Sequence, residues 1–246
     1  LTVESLRADR FTAALAPKFF EAARDAVSFE SHRSIASWTA PNIISLLTGL
    51  SPFEQGVHAR GHAIAADRVT ALEKLAQDGW ETGSVQAFAR TENFQNLGMP
   101  VSVGETAEWW IARQRLAGKP FYFWHHYLDT HLPYDPEPSF LASGIKLPGE
   151  GEPAYERIQA VRQRPAVRSG SVKFERSDKP YIDALYDGGI RQFDAWFATF
   201  WRFFNAAGLR EDTVLIVTAD HGEELLERQH VGHASTTGAG TLFEES

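Results

Sequence analysis

Asp220, His221 and Gly222 directly follow the apolar run TVLIVTA at 213–219. A carboxylate and an imidazole leaving a hydrophobic strand, with a flexible glycine behind them, form a metal-ligand pattern. Two such side chains are costly to leave unpaired beside a core. Glu4 holds the corresponding place after the first strand-like residues of the opening LTVESLRADRF. Together these three supply two carboxylate oxygens and one imidazole nitrogen. That donor set suits one Zn²⁺ or Mn²⁺ ion better than the all-oxygen cages of Ca²⁺ or Mg²⁺. Structural competitors exist for both places: strand-end capping for Asp220 and His221, and a surface pairing with Arg7 for Glu4.

Positions 4 and 220 meet only if the chain folds so that distant strands end side by side. The pattern predicts this, because strand and helix signals alternate. APKFFEAARDAV (16–27) carries Phe19, Phe20, Ala23 and Val27 at helical spacing, and a short extended VSFES follows. Pro41 sits near a helix start, where its missing N–H costs nothing, and NIISLLTG runs to a glycine stop. VTALEKLAQDGW (69–80) is an amphipathic helix ending at Gly79, and TGSVQAF (82–88) and PFYFWHHYL (120–128) read as strands. A long helix is expected from about Tyr181 to Ala207, with Tyr186, Ile190, Phe193, Phe197, Phe200, Trp201 and Phe204 on one stripe. TVLIVTA is nearly continuous in apolar residues, which predicts a strand covered on both faces. The expected architecture is an α/β layered domain with a mostly parallel central sheet between helices. In such sheets ligands collect beyond the carboxyl ends of the strands.

The bulk numbers fit this picture. A chain of 246 residues with 43% hydrophobic and 23% charged residues suits a single domain over 1–246. Its formal charge of −8 argues against a nucleic-acid partner, which calls for a basic footprint. With no cysteine, disulfides, thiolate nucleophiles and Cys-ligated zinc are excluded together. Residues 135–180 form a loop-rich excursion, and six basic residues against two acidic ones fall between Arg162 and Lys179. Two readings apply there, a solvated surface segment and a lid over an anionic substrate. No signal peptide or spanning helix is visible, and the abrupt start leaves room for a signal or membrane tether outside the present chain.

Four blocks carry a family resemblance. DTVLIVTADHGEELLERQHVGHAST resembles the C-terminal signature of the alkaline phosphatase/sulfatase superfamily, where an Asp-His or Asp-Asn pair binds the catalytic metal. SIASWTAPNIISLLTGLSPFEQGV resembles that superfamily's nucleophile segment, VESLRADRF its opening strand and metal carboxylate, and KPFYFWHHYLDTHLPYDP its substrate-histidine segment. They stand in the superfamily's order and span nearly the whole chain.

The resemblance also selects a branch. Sulfatases need Cys or Ser at the nucleophile position, in a C/S-x-P-S-R context, for conversion to formylglycine. Here the residues are Thr39-Ala40-Pro41-Asn42-Ile43, and threonine cannot be converted. The Lys and His that sulfatases supply after the next strand are also missing from SVQAFARTENF. A threonine nucleophile is similar to the phosphoryl-transfer branch of lipoteichoic acid synthases and lipid A phosphoethanolamine transferases. That branch uses a Glu, Thr, Asp, His metal set, which Glu4, Thr39, Asp220 and His221 match; without the resemblance, Thr39 reads as a helix N-cap.

By the same resemblance His131 and His233 act on phosphoryl oxygens or the leaving group. STTGAGTLFEES after His233 departs from the family pattern as an insertion or a gap. The implied activity is hydrolysis or head-group transfer of phosphate mono- or diesters through phosphothreonine. The implied substrate is an anionic phosphate ester, lipid head groups included, met outside the cytoplasm. Two alternatives stay open: a sulfuric ester hydrolase, and a catalytically silent, metal-containing module that binds anionic glycan or lipid. Oligomeric state is not readable.

Overall fold

The computed structural model describes residues 1–86, 91–98, 104–163, 172–236 and 242–244. Aromatic residues in FYFWHHY make β3 (Phe121–Tyr127) the longest strand, and it pairs in parallel with β2 (Glu81–Val85) and β1 (Thr2–Val3). On the far side β1 pairs in parallel with β4 (Thr218–Ala219), giving a four-stranded sheet of order β2-β3-β1-β4. The mostly parallel sheet expected from the alternating pattern is therefore present, with β1 between β3 and β4.

Helices cover the sheet. α1 (Pro17–Ala22) and α7 (Lys179–Ala206) lie on one side, where the fully buried Tyr186, Ile190 and Phe193 pack with Val3 and Tyr127. The predicted aromatic stripe is therefore core, each buried ring contributing roughly 1.5–3 kcal/mol. α2 (Thr39–Thr48) and α4 (Ala71–Gln77) form the other layer, where Ala40, Ile43, Ile44 and Leu47 meet Leu72 and Trp124. α5 (Ala107–Leu116) packs Trp110 so closely on β2 that a Cβ at Gly83 would stand 2.6 Å from its ring. Period-two alternation splits β3 between the layers: His125 and Tyr127 lie against Trp196 of α7, with ring centroids at 4.6 and 5.2 Å.

Helix ends follow local chemistry. α2 stops at Gly49, whose φ of 72° is a left-handed C-cap. α4 opens on a capping box between Thr70 and Glu73. α1 has no capping side chain of its own, and Asp194 of α7 accepts from the backbone N–H of Phe19 at 2.8 Å instead. α3 (Pro52–Gln55) and α6 (Tyr155–Arg162) are short surface helices, and two antiparallel pairs follow β4: β5 (Glu224–Leu225) with β6 (Val231–Gly232), and β7 (Ala234–Thr236) with β8 (Leu242–Glu244). No described helix is long and apolar enough to cross a membrane.

Three expectations are corrected. TVLIVTA is not covered on both faces: only Thr218 and Ala219 pair, and Val214 and Ile216 are 85% and 67% exposed. Leu215 and Val217 turn into the core while the alternate residues face outward, because among the described residues no helix layer covers that face. VSFES is an exposed loop rather than an extended strand, and the helix expected over 16–27 is limited to α1. Of the basic stretch between Arg162 and Lys179, residues 164–171 lie outside the described residues, as do 87–90 of SVQAFARTENF and 237–241 after His233.

Candidate active site

Sheet register brings the first carboxylates together. Val3 pairs with Tyr127 on one side and Ala219 on the other, so Glu4 and Asp220 leave adjacent strands at the same level. Glu4 is 1% exposed, its N–H donates to Tyr127 O at 2.9 Å, and its carbonyl accepts from the Thr130 hydroxyl. Burial alone would raise its carboxyl pKa. Hydrogen bonding to His126, the charges of His126 and His131, and the Thr39 hydroxyl outweigh that and hold it well below the usual carboxylate range. Ser5 follows with a φ of 57°, a left-handed conformation uncommon outside glycine, and its N–H donates to Asp220 Oδ1 at 3.0 Å. The chain thus turns sharply just where the two carboxylates must face one another.

Thr39 enters from the opposite layer, at the first residue of α2. Its Oγ1 donates to Glu4 Oε1 at 2.7 Å and lies 3.3 Å from His221 Nε2. The N-cap of α2 is Trp38, and Thr39 makes no capping bond, so its hydroxyl is committed to the cluster. Asn42 supports this entry. Its Oδ1 accepts from Ile35 and Ala36 N–H at 2.9 and 3.1 Å, and its Nδ2 donates to Ala36 and Trp38 carbonyls at 2.8 Å each. All four of its hydrogen-bonding positions are used to clasp the loop before Thr39. Ile43, where the sulfatase pattern has Arg, is fully buried in the apolar layer.

Asp220 and His221 leave β4 with polarity suited to a cation. His221 Nδ1 lies 2.7 Å from Gly222 O, and a carbonyl only accepts, so Nδ1 carries the proton and Nε2 presents its lone pair. Asp220 Oδ1 accepts from two backbone N–H groups, whereas buried Oδ2 has no hydrogen-bond partner among the described residues and sits 3.3 Å from His221 Nε2. Two electron-rich atoms facing each other in a buried setting repel unless a cation lies between them. The donor set therefore fits a divalent metal. Ligand atoms of Glu4, His221 and His233, and of Glu4, His126 and Asp220, lie within 4.8 Å of one another in two overlapping groups.

The remaining histidines come from loops. His131 donates from Nδ1 to Leu132 O, turning Nε2 to 3.5 Å from Glu4 Oε1. Its loop rests on a glycine notch in α7, since a Cβ on Gly189 would stand 2.3 Å from Asp129 O. His233 Nδ1 lies 3.0 Å from Glu223 Oε1, and its ring stands 4.3 Å from His221 and 5.0 Å from His131, centroid to centroid. Arg7, Asp9 and Arg10 form the charged turn outside this cluster. Arg7 pairs with Asp9 and Glu227, and Arg10 with Asp187.

Glu4, Thr39, Asp220, His221, His131 and His233 thus converge in one buried cluster. Sequence reasoning missed two members. His126 lies in the aromatic strand FYFWHHY, and its Nε2 bonds Glu4 Oε2. Its place opposite Thr2, two residues before Glu4, is set by the pairing of β1 with β3, which no local pattern of the sequence states. Glu223 carried no argument, although it stands directly after the Asp220-His221-Gly222 segment.

The sulfatase family model matches residues 102–242. That span holds Asp220, His221, His131 and His233, while Glu4 and Thr39 precede it. Phosphonate monoester hydrolase of Agrobacterium radiobacter superposes with a TM-score of 0.67 at 17% identity, over 98% of this chain and 66% of that one. BT1596, a 2-O GAG sulfatase, gives 0.64 at 14% identity, over 94% and 59%. Lipoteichoic acid synthase LtaP from Listeria monocytogenes gives 0.59 at 14% identity, over 92% and 56%. The chain therefore spans just under two thirds of the hydrolase, at 66% of its length, and less of the other two. At these identities the likeness is one of fold. No curated protein matches the chain. The family model covers more than half of the chain, and the protein belongs to the sulfatase family.

Proposed function

We propose that the chain, acting as one catalytic unit over 1–246, is a metal-dependent phosphoryl-transfer enzyme with Thr39 as nucleophile. Its substrates are anionic phosphate or phosphonate esters, lipid head groups among them. The observation that carries this is the Thr39 hydroxyl, 2.7 Å from Glu4 Oε1 and 3.3 Å from His221 Nε2, beside the unpartnered Asp220 Oδ2. Glu4, Thr39, Asp220 and His221 would hold one divalent cation. Zn²⁺ or Mn²⁺ suits their mixed oxygen and nitrogen donors better than Ca²⁺ or Mg²⁺. When bound, that ion supplies Lewis-acid chemistry, favouring the alkoxide and drawing charge from phosphoryl oxygens.

The residues divide the rest of the work. Glu4 Oε1 accepts the hydrogen bond of Thr39 and so aims its oxygen, while the carboxyl stays ionised and the Thr39 proton passes to solvent. The Thr39 oxygen then attacks phosphorus in line; the new O–P bond forms as the bond to the leaving alcohol breaks. His131 turns Nε2 to the cluster and the His233 ring stands beside it, placed to hold equatorial oxygens and to give the leaving oxygen its proton. Water or an acceptor alcohol next attacks the phosphothreonine, its proton passing to the histidine that protonated the leaving oxygen, and the O–P bond breaks to return Thr39, which regains a proton from solvent. Glu223 holds His233 through Nδ1, as an orienting carboxylate does in a catalytic triad.

The assay is direct. The purified chain is given Mn²⁺ or Zn²⁺ and then chelator. It is tested on aryl phosphate, phosphodiester, phosphonate monoester and sulfate esters, alongside Thr39→Ala. Phosphoester or phosphonate turnover lost with chelator and with Thr39→Ala supports the proposal. Sulfate turnover surviving Thr39→Ala would sink it in favour of a sulfuric ester hydrolase. Metal binding without any turnover would point to a silent binding module.

A further inference from the structure

His126 lies in one of the two groups whose atoms stand close enough to share an ion, so it has two incompatible roles open to it. As a ligand it must present a lone pair to the cation. As a support it must present an N–H to Glu4. The hydrogen bonds around it decide which.

Trp124 Nε1 is only a donor, and it donates to Thr2 Oγ1 at 2.9 Å. The Thr2 hydroxyl in turn bonds His126 Nδ1, and His126 Nε2 bonds Glu4 Oε2. Glu4 Oε1 is the atom that receives Thr39. A carboxylate oxygen accepts, so the proton between Nε2 and Glu4 belongs to Nε2. A tautomer protonated on Nδ1 alone would face the Nε2 lone pair with the lone pairs of Oε2. Four members of the chain Trp124–Thr2–His126–Glu4–Thr39 lie in regular structure, and Glu4 directly follows β1: Thr2 and His126 are register partners in adjacent strands, Trp124 shares the His126 face of β3, and Thr39 begins α2.

We infer that His126 is a positioning residue. It donates from Nε2 to Glu4 Oε2, so that Oε1 alone is presented to Thr39 and the cation, and it is not itself a ligand. Outer partners of this kind fix ligand orientation and raise ligand basicity. The inference rests on the proposed metal-binding role of Glu4. It also separates the two overlapping groups, assigning Glu4 to the ion through one oxygen and to the fold through the other.

The test needs no turnover. With ¹⁵N-labelled histidine and ¹¹³Cd²⁺ bound to the full chain, the His126 resonances are assigned by their loss in His126→Gln. The expected spectrum has His126 protonated on Nε2 and uncoupled to cadmium, with coupling at His221 Nε2. Cadmium coupling at His126, or protonation on Nδ1 alone, would overturn the inference.

Calorimetry with Mn²⁺ gives a second readout. His126→Gln, whose terminal amide reaches the place of Nε2, should bind within about threefold of the parent chain. His126→Met, which has no donor, should bind about 10- to 100-fold more weakly. If Glu4→Gln abolishes binding while His126→Met leaves it unchanged, the positioning role fails and the metal site stands. If Glu4→Gln leaves binding unchanged, both fall. Should His126→Met not fold, the spectrum of the parent chain decides alone.

Discussion

Two halves of the cluster are built by different means. Glu4 and Asp220 project from the ends of neighbouring parallel strands, and Thr39 stands on the first turn of a helix packed on the same sheet. Regular hydrogen bonding places these groups, and little beyond register is required. His131 and His233 come from loops and need dedicated supports: a notch at Gly188 and Gly189 for the first, the Glu223 carboxylate for the second. Strand ends give positions that survive loop changes. Loops give positions that survive only while their seats do.

The largest expected effect comes from the strand-and-helix half. Thr39→Ala should lower turnover by about 10⁴-fold or more, since it removes the oxygen proposed to attack. Thermal stability should change little, because the N-cap of α2 is Trp38. Steady-state kinetics with a melting curve check both, and a large stability loss would mean that Thr39 is chiefly structural.

The loop half should respond differently. In Gly189→Ala the new methyl group meets Asp129 O at 2.3 Å, so the His131 loop must move. A displacement near 1 Å costs about 10²-fold in kcat. Overpacking of this kind costs roughly 1–3 kcal/mol of stability. Mn²⁺ affinity should stay near that of the parent chain; a fall matching the loss of kcat would erase the distinction between the halves. Glu223→Gln should lower kcat by about 10- to 100-fold with metal affinity kept, because His233 loses the carboxylate that orients its ring.

The smallest effect lies on the opposite face of β3. Burial against α7 holds the His125 imidazole neutral, lowering its pKa from 6.5 to about 4. An unfolded chain binds that proton more readily in this window. Stability is therefore full above about pH 6.5 and falls by about 3 kcal/mol as pH drops toward 4. His125→Phe should flatten that part of a denaturation-versus-pH curve; an unchanged curve would assign the loss to the site histidines.

The sequence was legible where period and punctuation coincide. The aromatic stripe of α7, the glycine stop of α2 and Gly79 just beyond α4 each state their structure locally. The outer face of Val214 and Ile216 was not legible, because an apolar run reports hydrophobicity and not whether a layer covers it. In the site, Glu4, Thr39, Asp220 and His221 were found by residue type and family pattern. His126 escaped because its role depends on a register between residues 124 positions apart, and Glu223 because a second acid in a charged segment reads as surface. Supports are harder to read than ligands, since their chemistry is ordinary and only their placement is special.

We propose that one cation sits among Glu4, Thr39, Asp220 and His221, and anomalous diffraction from crystals of the chain grown with Mn²⁺ tests this. One peak is expected within roughly 2.0–2.3 Å of Glu4 Oε1, Asp220 Oδ2 and His221 Nε2, with Thr39 Oγ1 completing the shell. A peak ligated by His126, or one away from Asp220 and Glu4, would contradict it.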